Sequence, residues 1–370
     1  MLASLIELDP SEPAWRTLVR RLLLLLTTWL TAHIYNLLCD ISDAVDAHAD
    51  QAPADGSSSS AVQCGDDQVS QAASAGAGRP GRAAKPTLKA GSSIPYVDPS
   101  RASESPQHHA WTSIGADQFR VRCGPDYPRN GNKAPSGPAL GDVVAVDLLR
   151  TDKKIFDLLA LNHIELPAPT PGWSEIYPEL FVVNQMMPVK FHNSLITSDK
   201  TDGETWNLIT YVRLRPGLAN GWAQHLEPQG AEQLAARFVM RAAHDPAVAH
   251  CFKEIGLVRN LDELAQRFPR SLFGILKKYN GKPILTRPEH YFTRDPDNRY
   301  FMVDLDTHRY KYLTRTALHT GFGRVEEVVA GYGFCVEARK EAEMPEVMLC
   351  CCELHRLSKE SAVPFPPRES

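Results

Sequence analysis

The chain has 370 residues, is 43% hydrophobic and 23% charged, and carries a formal net charge of −4. This is globular composition, with apolar material for one large core or two small ones, and its balance argues against a general nucleic-acid binder. Eight cysteines include no CxxC pair, so neither a zinc ribbon nor a disulfide framework is supported.

Arg16, Arg20 and Arg21 precede Leu22 to Leu38, the most apolar run of the chain. The run falls short of the ~20 residues of a bilayer span and contains His33 and Asn36. Its basic start and apolar centre resemble a signal peptide, but no small-x-small cleavage site follows closely. A signal anchor would leave the basic end in the cytosol and the rest outside. An interfacial helix and a helix docked on its own domain are also open. The expectation is that residues 1–39 associate a cytoplasmic protein with a membrane, with the signal-anchored topology as the alternative. Residues 40–107 are rich in Ser, Ala, Gly, Asp and Pro. Such a segment buries too little apolar surface to offset its ordering entropy and is expected to be a disordered linker.

A folded domain is expected over residues 108–357, followed by a disordered tail over 358–370. Between His108 and Leu357 there are 30 basic and 30 acidic side chains, so an electrostatic partner must be met by a local patch. Phe119 to Cys123 alternates as a strand. Asp142 to Leu149 reads as a strand buried on both faces, since Val143 to Val146 is apolar throughout. Asp152 to Leu161 is expected to be a short helix. Leu180 to Val189 and Trp206 to Arg215 are expected strands joined by a polar loop. From Ala231, the residues Leu234, Phe238 and Ala242 keep one apolar stripe of a helix. Asn260 is the expected N-cap of a helix from Leu261 to Phe268, and Ser271 to Tyr279 forms a second helix ending at Asn280-Gly281. Short strands follow at Pro283 to Thr286 and Tyr291 to Thr293, and Asp295 to Asn298 makes a turn.

The next stretch, Asn298 to Leu318, reads as a strand running into a helix. Side chains alternate along a strand, so Phe301, Val303 and Leu305 share one face. Met302, Asp304, Asp306 and His308 share the other, which must meet solvent, a cavity or basic partners. Val325 to Val329 is expected to stay helical. Gly333 to Arg339 and Val347 to Leu357 form a last hairpin, in which Cys350, Cys351 and Cys352 read as small hydrophobes. Clustered antiparallel strands with inserted helices give an α+β class: a single domain with a mainly antiparallel, curved β-sheet and packed helices.

The run Tyr300-Phe301-x-Val303-Asp304-Leu305-Asp306-x-His308-Arg309-Tyr310-x-Tyr312-Leu313-x-Arg315 resembles the signature of the Enhanced Disease Resistance 2 C-terminal domain family of plants and protists. Val144 to Asp147, Pro178 to Asn184, Tyr279 to Pro283, Gly333-Phe334 and Met344-Pro-Glu346 support the resemblance in order. It covers about Trp111 to Leu357. It implies a non-catalytic module, often found beside lipid-binding domains, in proteins that restrain defence and cell death.

Asp304, Asp306 and His308 have the donor chemistry for a divalent cation or for acid–base catalysis. The expected role of the two acids is nevertheless to pair with Arg309, Arg315 or Arg287, or to face water. Met302 stands where the family commonly has an acid, which weakens a metal site. No nucleophile elbow, P-loop, dinucleotide fingerprint or HExxH occurs, so no catalytic, cofactor or metal residue is assigned. The candidates for a lipid headgroup are Lys277, Lys278 and Lys282 around the Asn280-Gly281 turn, with Arg309, Lys311 and Arg315 beyond the strand. The resulting expectation is a non-enzymatic regulatory module at a membrane surface that binds lipid. The alternatives are a soluble protein-interaction module and an enzyme using the Asp304/Asp306/His308 face. No nucleic-acid partner is expected.

Overall fold

A computed structural model describes residues 88–101, 108–173, 177–190, 203–215, 230–268, 270–285, 289–310, 318 and 321–366. The chain divides into two units, Met1–Gly76 and Ala77–Ser370, and all described residues belong to the second. The expectations for residues 1–39 and for most of the linker lie outside the described residues. Among those described, no helix is long and apolar enough to cross a membrane.

In chain order the strands are β1 (Leu88–Lys89), β2 (Ala110–Ser113), β3 (Arg120–Arg122), β4 (Lys133–Pro135), β5 (Gly141–Thr151), β6 (Ile164–Glu165), β7 (Leu180–Pro188) and β8 (Thr205–Leu214). They continue with β9 (Phe252–Val258), β10 (Pro283–Leu285), β11 (His290–Arg294), β12 (Tyr300–Asp306), β13 (Val329–Val336), β14 (Met348–His355) and β15 (Val363–Pro364). The helices are α1 (Tyr127–Asn130), α2 (Gly230–Arg241), α3 (Pro246–Ala249), α4 (Leu261–Arg267) and α5 (Arg270–Tyr279).

The class is α+β, but the strands form two large sheets where one was expected. A six-stranded sheet runs β11-β12-β7-β8-β5-β15 and a five-stranded sheet runs β10-β9-β13-β14-β2. The five-stranded sheet is antiparallel throughout. In the six-stranded sheet, β12 lies parallel to β7, and β15 lies parallel to β5.

One apolar cluster gathers Val146, Leu148, Phe181, Val183, Phe301 and Val303 from the six-stranded sheet with Phe252, Phe334, Cys350 and Cys352 from the five-stranded one. Helix α2 adds Leu234, Phe238 and Val239 along the stripe read from sequence. Rings stack through this core: Phe238 on Phe252 at 5.5 Å and Phe252 on Phe334 at 5.3 Å. The opposite side of the six-stranded sheet is also covered. There Leu149, Val182, Ile209 and Met302 pack with Leu158, Leu159, Ile164 and Phe365. Burial on both faces is the physical reason for the nearly continuous apolar runs of β5 and β7. Cys351 alternates away from its neighbours into a third cluster with Phe119 and Met348, and burial pushes its thiol up to about 12.

Several expectations are corrected. Residues 88–101 belong to the fold and not to a linker, and the domain therefore starts before His108. Gly91 N–H donates to Asp147 Oδ2 at 2.7 Å, and Ser93 donates to Asp147 Oδ1 through both its N–H (2.9 Å) and its hydroxyl (2.8 Å). Ile94 is fully buried, and Tyr96 bridges to Trp111 at the open side of β2. Gly91 has φ of +81°, and a Cβ there would sit 2.8 Å from that of Ala145. Composition hid this strap because its apolar anchors are few and scattered, Leu88, Ala90, Ile94 and Tyr96, and much of its hold is polar backbone capture. The tail is not free either: Val363 and Pro364 pair with β5, and Phe365 is 3% exposed.

The helix expected over Asp152 to Leu161 is only a 3-10 turn at Leu158–Leu161, entered through Asp157 in the left-handed region at φ 48°. The strand β9 is absent from the sequence reading. Asn260 stands at the N-cap position of α4 as expected, but its side chain does not cap the helix: it accepts from Val329 N–H at 2.9 Å and donates to the Glu327 carbonyl at 2.8 Å. Strand β12 ends in a 3-10 turn at Thr307–Arg309, not directly in a helix, and residues 311–317 lie outside the described residues. At Val325 only a 3-10 turn forms before β13 begins.

A fragment trimmed to residues 108–357 loses Ile94 and Phe365, each worth ~1.5–3 kcal/mol of burial, along with the donors to Asp147. It is expected to unfold at a distinctly lower urea concentration than a fragment of residues 88–366. Equal midpoints would show that the strap and β15 rest on the domain without stabilising it.

Candidate functional site

Strand β12 presents every residue from Tyr300 to Asp306 to the interior. Phe301, Val303 and Leu305 point into the core between the sheets, while Tyr300 and Met302 join the cluster on the opposite face. The alternation read from sequence is therefore present, but its polar face meets protein. Asp304 and Asp306 are 0% exposed and His308 is 2% exposed.

Each polar side chain of this face has at least one internal partner, although among the described residues Asp306 Oδ1 accepts no hydrogen bond. Asp304 accepts from Asp157 N–H at 2.9 Å and from Asn184 Nδ2 at 2.8 Å. The parallel register sets the second contact, because Asp304 lies opposite Asn184 of β7. Asp306 binds Lys154 Nζ at 2.9 Å. Tyr300 donates its hydroxyl to Asp157 Oδ1 at 2.9 Å. His308 Nε2 lies 3.2 Å from Thr205 Oγ1, whose hydroxyl reaches the Gly203 carbonyl at 2.7 Å. That chain of contacts favours a proton on Nε2. Residues 152–157 are thus fastened over the strand by Lys154 and Asp157, which is why they do not coil into a helix.

The expected arginine partners are replaced by Lys154, Asn184 and a backbone amide. Arg309 instead donates to the Tyr291 hydroxyl at 2.6 Å. Arg287 and Arg315 lie outside the described residues. Sequence reading missed Lys154, Asp157, Asn184 and Thr205 because the partners stand far apart in the chain.

Burial pushes Asp304 up to about 7, with the carboxylates of Asp157 and Asp306 adding to the rise against its two donors. Burial also raises Asp157, partly offset by the Tyr300 hydroxyl, and raises Tyr300 itself. Glu254, bonded to Gln185 Nε2 at 2.6 Å, is pushed up to about 7 by burial as well.

A second buried ionic cluster ties β9 to the segment after β13. Lys253, 1% exposed, donates to both oxygens of Glu346 at 2.7 and 2.9 Å. Glu346 also accepts from Ala338 N–H at 2.9 Å, and Arg122 pairs with Glu337 at 2.7 Å. Arg237 of α2 holds Glu343 at 2.6 Å. Met344 and Pro345 line a cleft of about 270 Å³ with Cys123, Gly124, Pro125 and Glu341. Among the described residues no group of three or more His, Cys, Asp or Glu converges as a metal-binding cluster.

The other candidates divide. Lys277, Lys278 and Lys282 are exposed at the end of α5. The amines of Lys278 and Lys282 lie 5.4 and 5.7 Å from the ring centre of Tyr279, which is 40% exposed. The turn that carries them is fixed, since Asn280 Oδ1 accepts from Val258 N–H at 2.6 Å and Gly281 donates to the Gly256 carbonyl at 2.8 Å. Arg309 is exposed beside Tyr291, whose ring meets Phe156 edge-on at 4.8 Å. Lys311 lies outside the described residues.

These observations define a two-sheet α+β domain whose acidic signature strand is an internal clamp. The chain belongs to the family described as Protein ENHANCED DISEASE RESISTANCE 2, C-terminal, whose model matches residues 111–358, more than half of the chain. No curated protein and no solved structure matches the chain. The strap and β15 lie outside the matched residues although both pack on the domain.

The sign of the Asp304 effect on stability follows from its two states. Its folded pKa of about 7 lies above the ordinary carboxylate value of 3.8, so the folded protein binds more protons between these values. Its contribution is present below about pH 4 and is lost as pH rises to about 7. Asp304→Asn keeps an acceptor for Asp157 N–H, and rotation of the Asn184 amide supplies its other partner. The variant is expected to gain on the native protein between pH 4 and pH 7, by an amount on the order of a few kcal/mol. Urea unfolding at several pH values measures the gap, and a gap that stays constant would show that Asp304 does not titrate there. Lys154→Met leaves Asp306 buried without its cation and is expected to cost ~3–5 kcal/mol. Unchanged thermal and urea midpoints would contradict the clamp.

Proposed function

We propose that this protein is a non-enzymatic regulatory module that works at a membrane surface, with lipid as its ligand. The observation that supports this reading is how the polar groups are divided. Asp304, Asp306 and His308 are held by internal partners and buried, which leaves no accessible acid–base pair on the signature strand. The exposed headgroup candidates Lys277, Lys278 and Lys282 instead surround an exposed tyrosine. A basic and aromatic surface suits the interface of an anionic bilayer. Arg309, and by sequence Lys311 and Arg315, are further candidates at the end of β12.

The apolar run Leu22 to Leu38 with its arginines adds a second means of attachment to a cytoplasmic protein. By the family resemblance, the module restrains a response instead of carrying out a reaction. A soluble protein-interaction module is the second reading, favoured by the exposed Phe156–Tyr291 pair beside Arg309.

Flotation of the full chain with vesicles tests the choice. The protein is expected to rise with vesicles containing phosphatidylserine at physiological salt, and added salt should weaken only the electrostatic share. If it stays in the dense fraction under all these conditions, the membrane reading falls and the protein-interaction reading takes its place.

A further inference from the structure

Residues 264–288 carry Arg267, Arg270, Lys277, Lys278, Lys282 and Arg287 and contain no Asp or Glu. This concentration stands out in a domain whose charges otherwise balance. The fold gathers much of it on one projecting hairpin. Helices α4 and α5 share a small apolar cluster in which Leu264 and Phe268 pack with Phe273, Leu276, Val258 and Val328. Phe273 and Leu276 therefore face inward. Arg270, Gly274, Lys277 and Lys278, spaced i, i+4, i+7 and i+8, are exposed on one outer face of α5. Tyr279, the last residue of α5, is exposed with the amines of Lys278 and Lys282 at its ring, and Asn280 anchors the turn to β9.

From this arrangement we infer that the α4–α5 hairpin is the domain's own membrane-docking element. Its outer face meets an anionic bilayer surface, and Tyr279 enters the headgroup layer. The inference rests on the membrane reading above and names its contact face and lipid class. Charge complementarity selects the occupant: Arg270, Lys277, Lys278 and Lys282, with no acid among residues 264–285, match a polyanionic sheet, and the hairpin's two acids, Asp262 and Glu263, stand at the far end of α4. The tyrosine ring between two ammonium groups matches the amphipathic interface, where aromatic residues collect. A rigid turn presents these groups without further ordering cost on docking.

The test uses the full chain and two readouts. In lipid titrations, K277E/K278E/K282E should lower partition onto phosphatidylserine vesicles by ~100-fold or more, from a factor of ~5 per lysine. Partition onto purely zwitterionic vesicles should not change. Acetylation footprinting of the unmodified chain should show Lys277, Lys278 and Lys282 protected by phosphatidylserine vesicles, with exposed Lys153 as the internal control. Tyr279→Ser should weaken binding to the same vesicles by several-fold without altering the thermal midpoint. If the full chain floats but these lysines react equally with and without vesicles, the hairpin is not the contact and this inference fails while the membrane reading stands. If the chain floats with neither kind of vesicle, both fail. If the triple variant partitions like the unmodified chain, attachment belongs to another segment and the inference is likewise overturned.

Discussion

Placing two carboxylates on a strand buried on both faces, and an imidazole in the turn that ends it, is the constraint that shapes the rest of this domain. Asp304, Asp306 and His308 are buried away from bulk solvent, and an unpartnered charge there would cost several kcal/mol. The fold meets the constraint from three directions. Strand β7 supplies Asn184 through parallel register, the 152–157 segment supplies Lys154 and an amide, and β8 supplies Thr205. Satisfying the acids therefore fixes the sheet order around β12 and holds a long loop in an extended path. The compensation is incomplete at Asp304, whose two neutral donors do not offset its burial.

Asp147 applies the same logic to the chain terminus. It is a buried acid on β5, and its partners are two amides and a hydroxyl from the strap. Ser93 serves both directions at once, because its hydroxyl oxygen also accepts from Leu148 N–H at 2.7 Å. Strand β15 pairs with the same β5 from the other end of the sequence. The strap meets the open side of β2 and β15 covers the end of the edge strand β5, so both segments shield parts of sheet edges that would otherwise invite foreign strands. The anchor of the strap belongs to Val144 to Asp147, a segment that carries the family resemblance, although the strap itself lies outside the matched residues. A short motif can thus hold a segment whose own sequence looks like linker.

How much of this was legible depended on whether the signal was local. Strands β7 and β8 and helix α2 appeared near their observed bounds because apolar alternation and the helical stripe are local. Strand β9 stayed hidden because Lys253 and Glu254 interrupt the pattern, and their burial is only understandable once Glu346 and Gln185 are in place. The acidic face of β12 was legible as a special surface, but its partners were not. Lys154 lies 152 residues from Asp306, and nothing in its surroundings marks it as an interior lysine. The helix expected at Asp152 to Leu161 failed for the same cause: local propensity lost to the long-range ties of Lys154 and Asp157. The clustering of lysines at the α5 turn was visible, whereas Tyr279 gained its meaning from the fold.

The use of charge inside and outside the domain leads to one further step. Acids and bases are equal in number between His108 and Leu357, yet they are not spent alike. Asp147, Asp304, Asp306, Glu343 and Glu346 are drawn into the interior, where they organise loops and strand ends. Few cations follow them, chiefly Lys154, Lys253 and Arg122. Among the described residues more acids than bases are buried, so their exposed charges lean more positive than the sequence balance suggests. Net charge therefore understates the attraction of such a domain to an anionic surface. Its field at the surface depends on which charges the fold leaves in contact with water, and helix α5 with the turn after it is where exposed cations have no acid beside them in sequence. The buried clamp and the basic exterior are in this sense one feature of the fold, since the acids that hold β12, the strap and the 337–346 segment are acids no longer available to neutralise the surface.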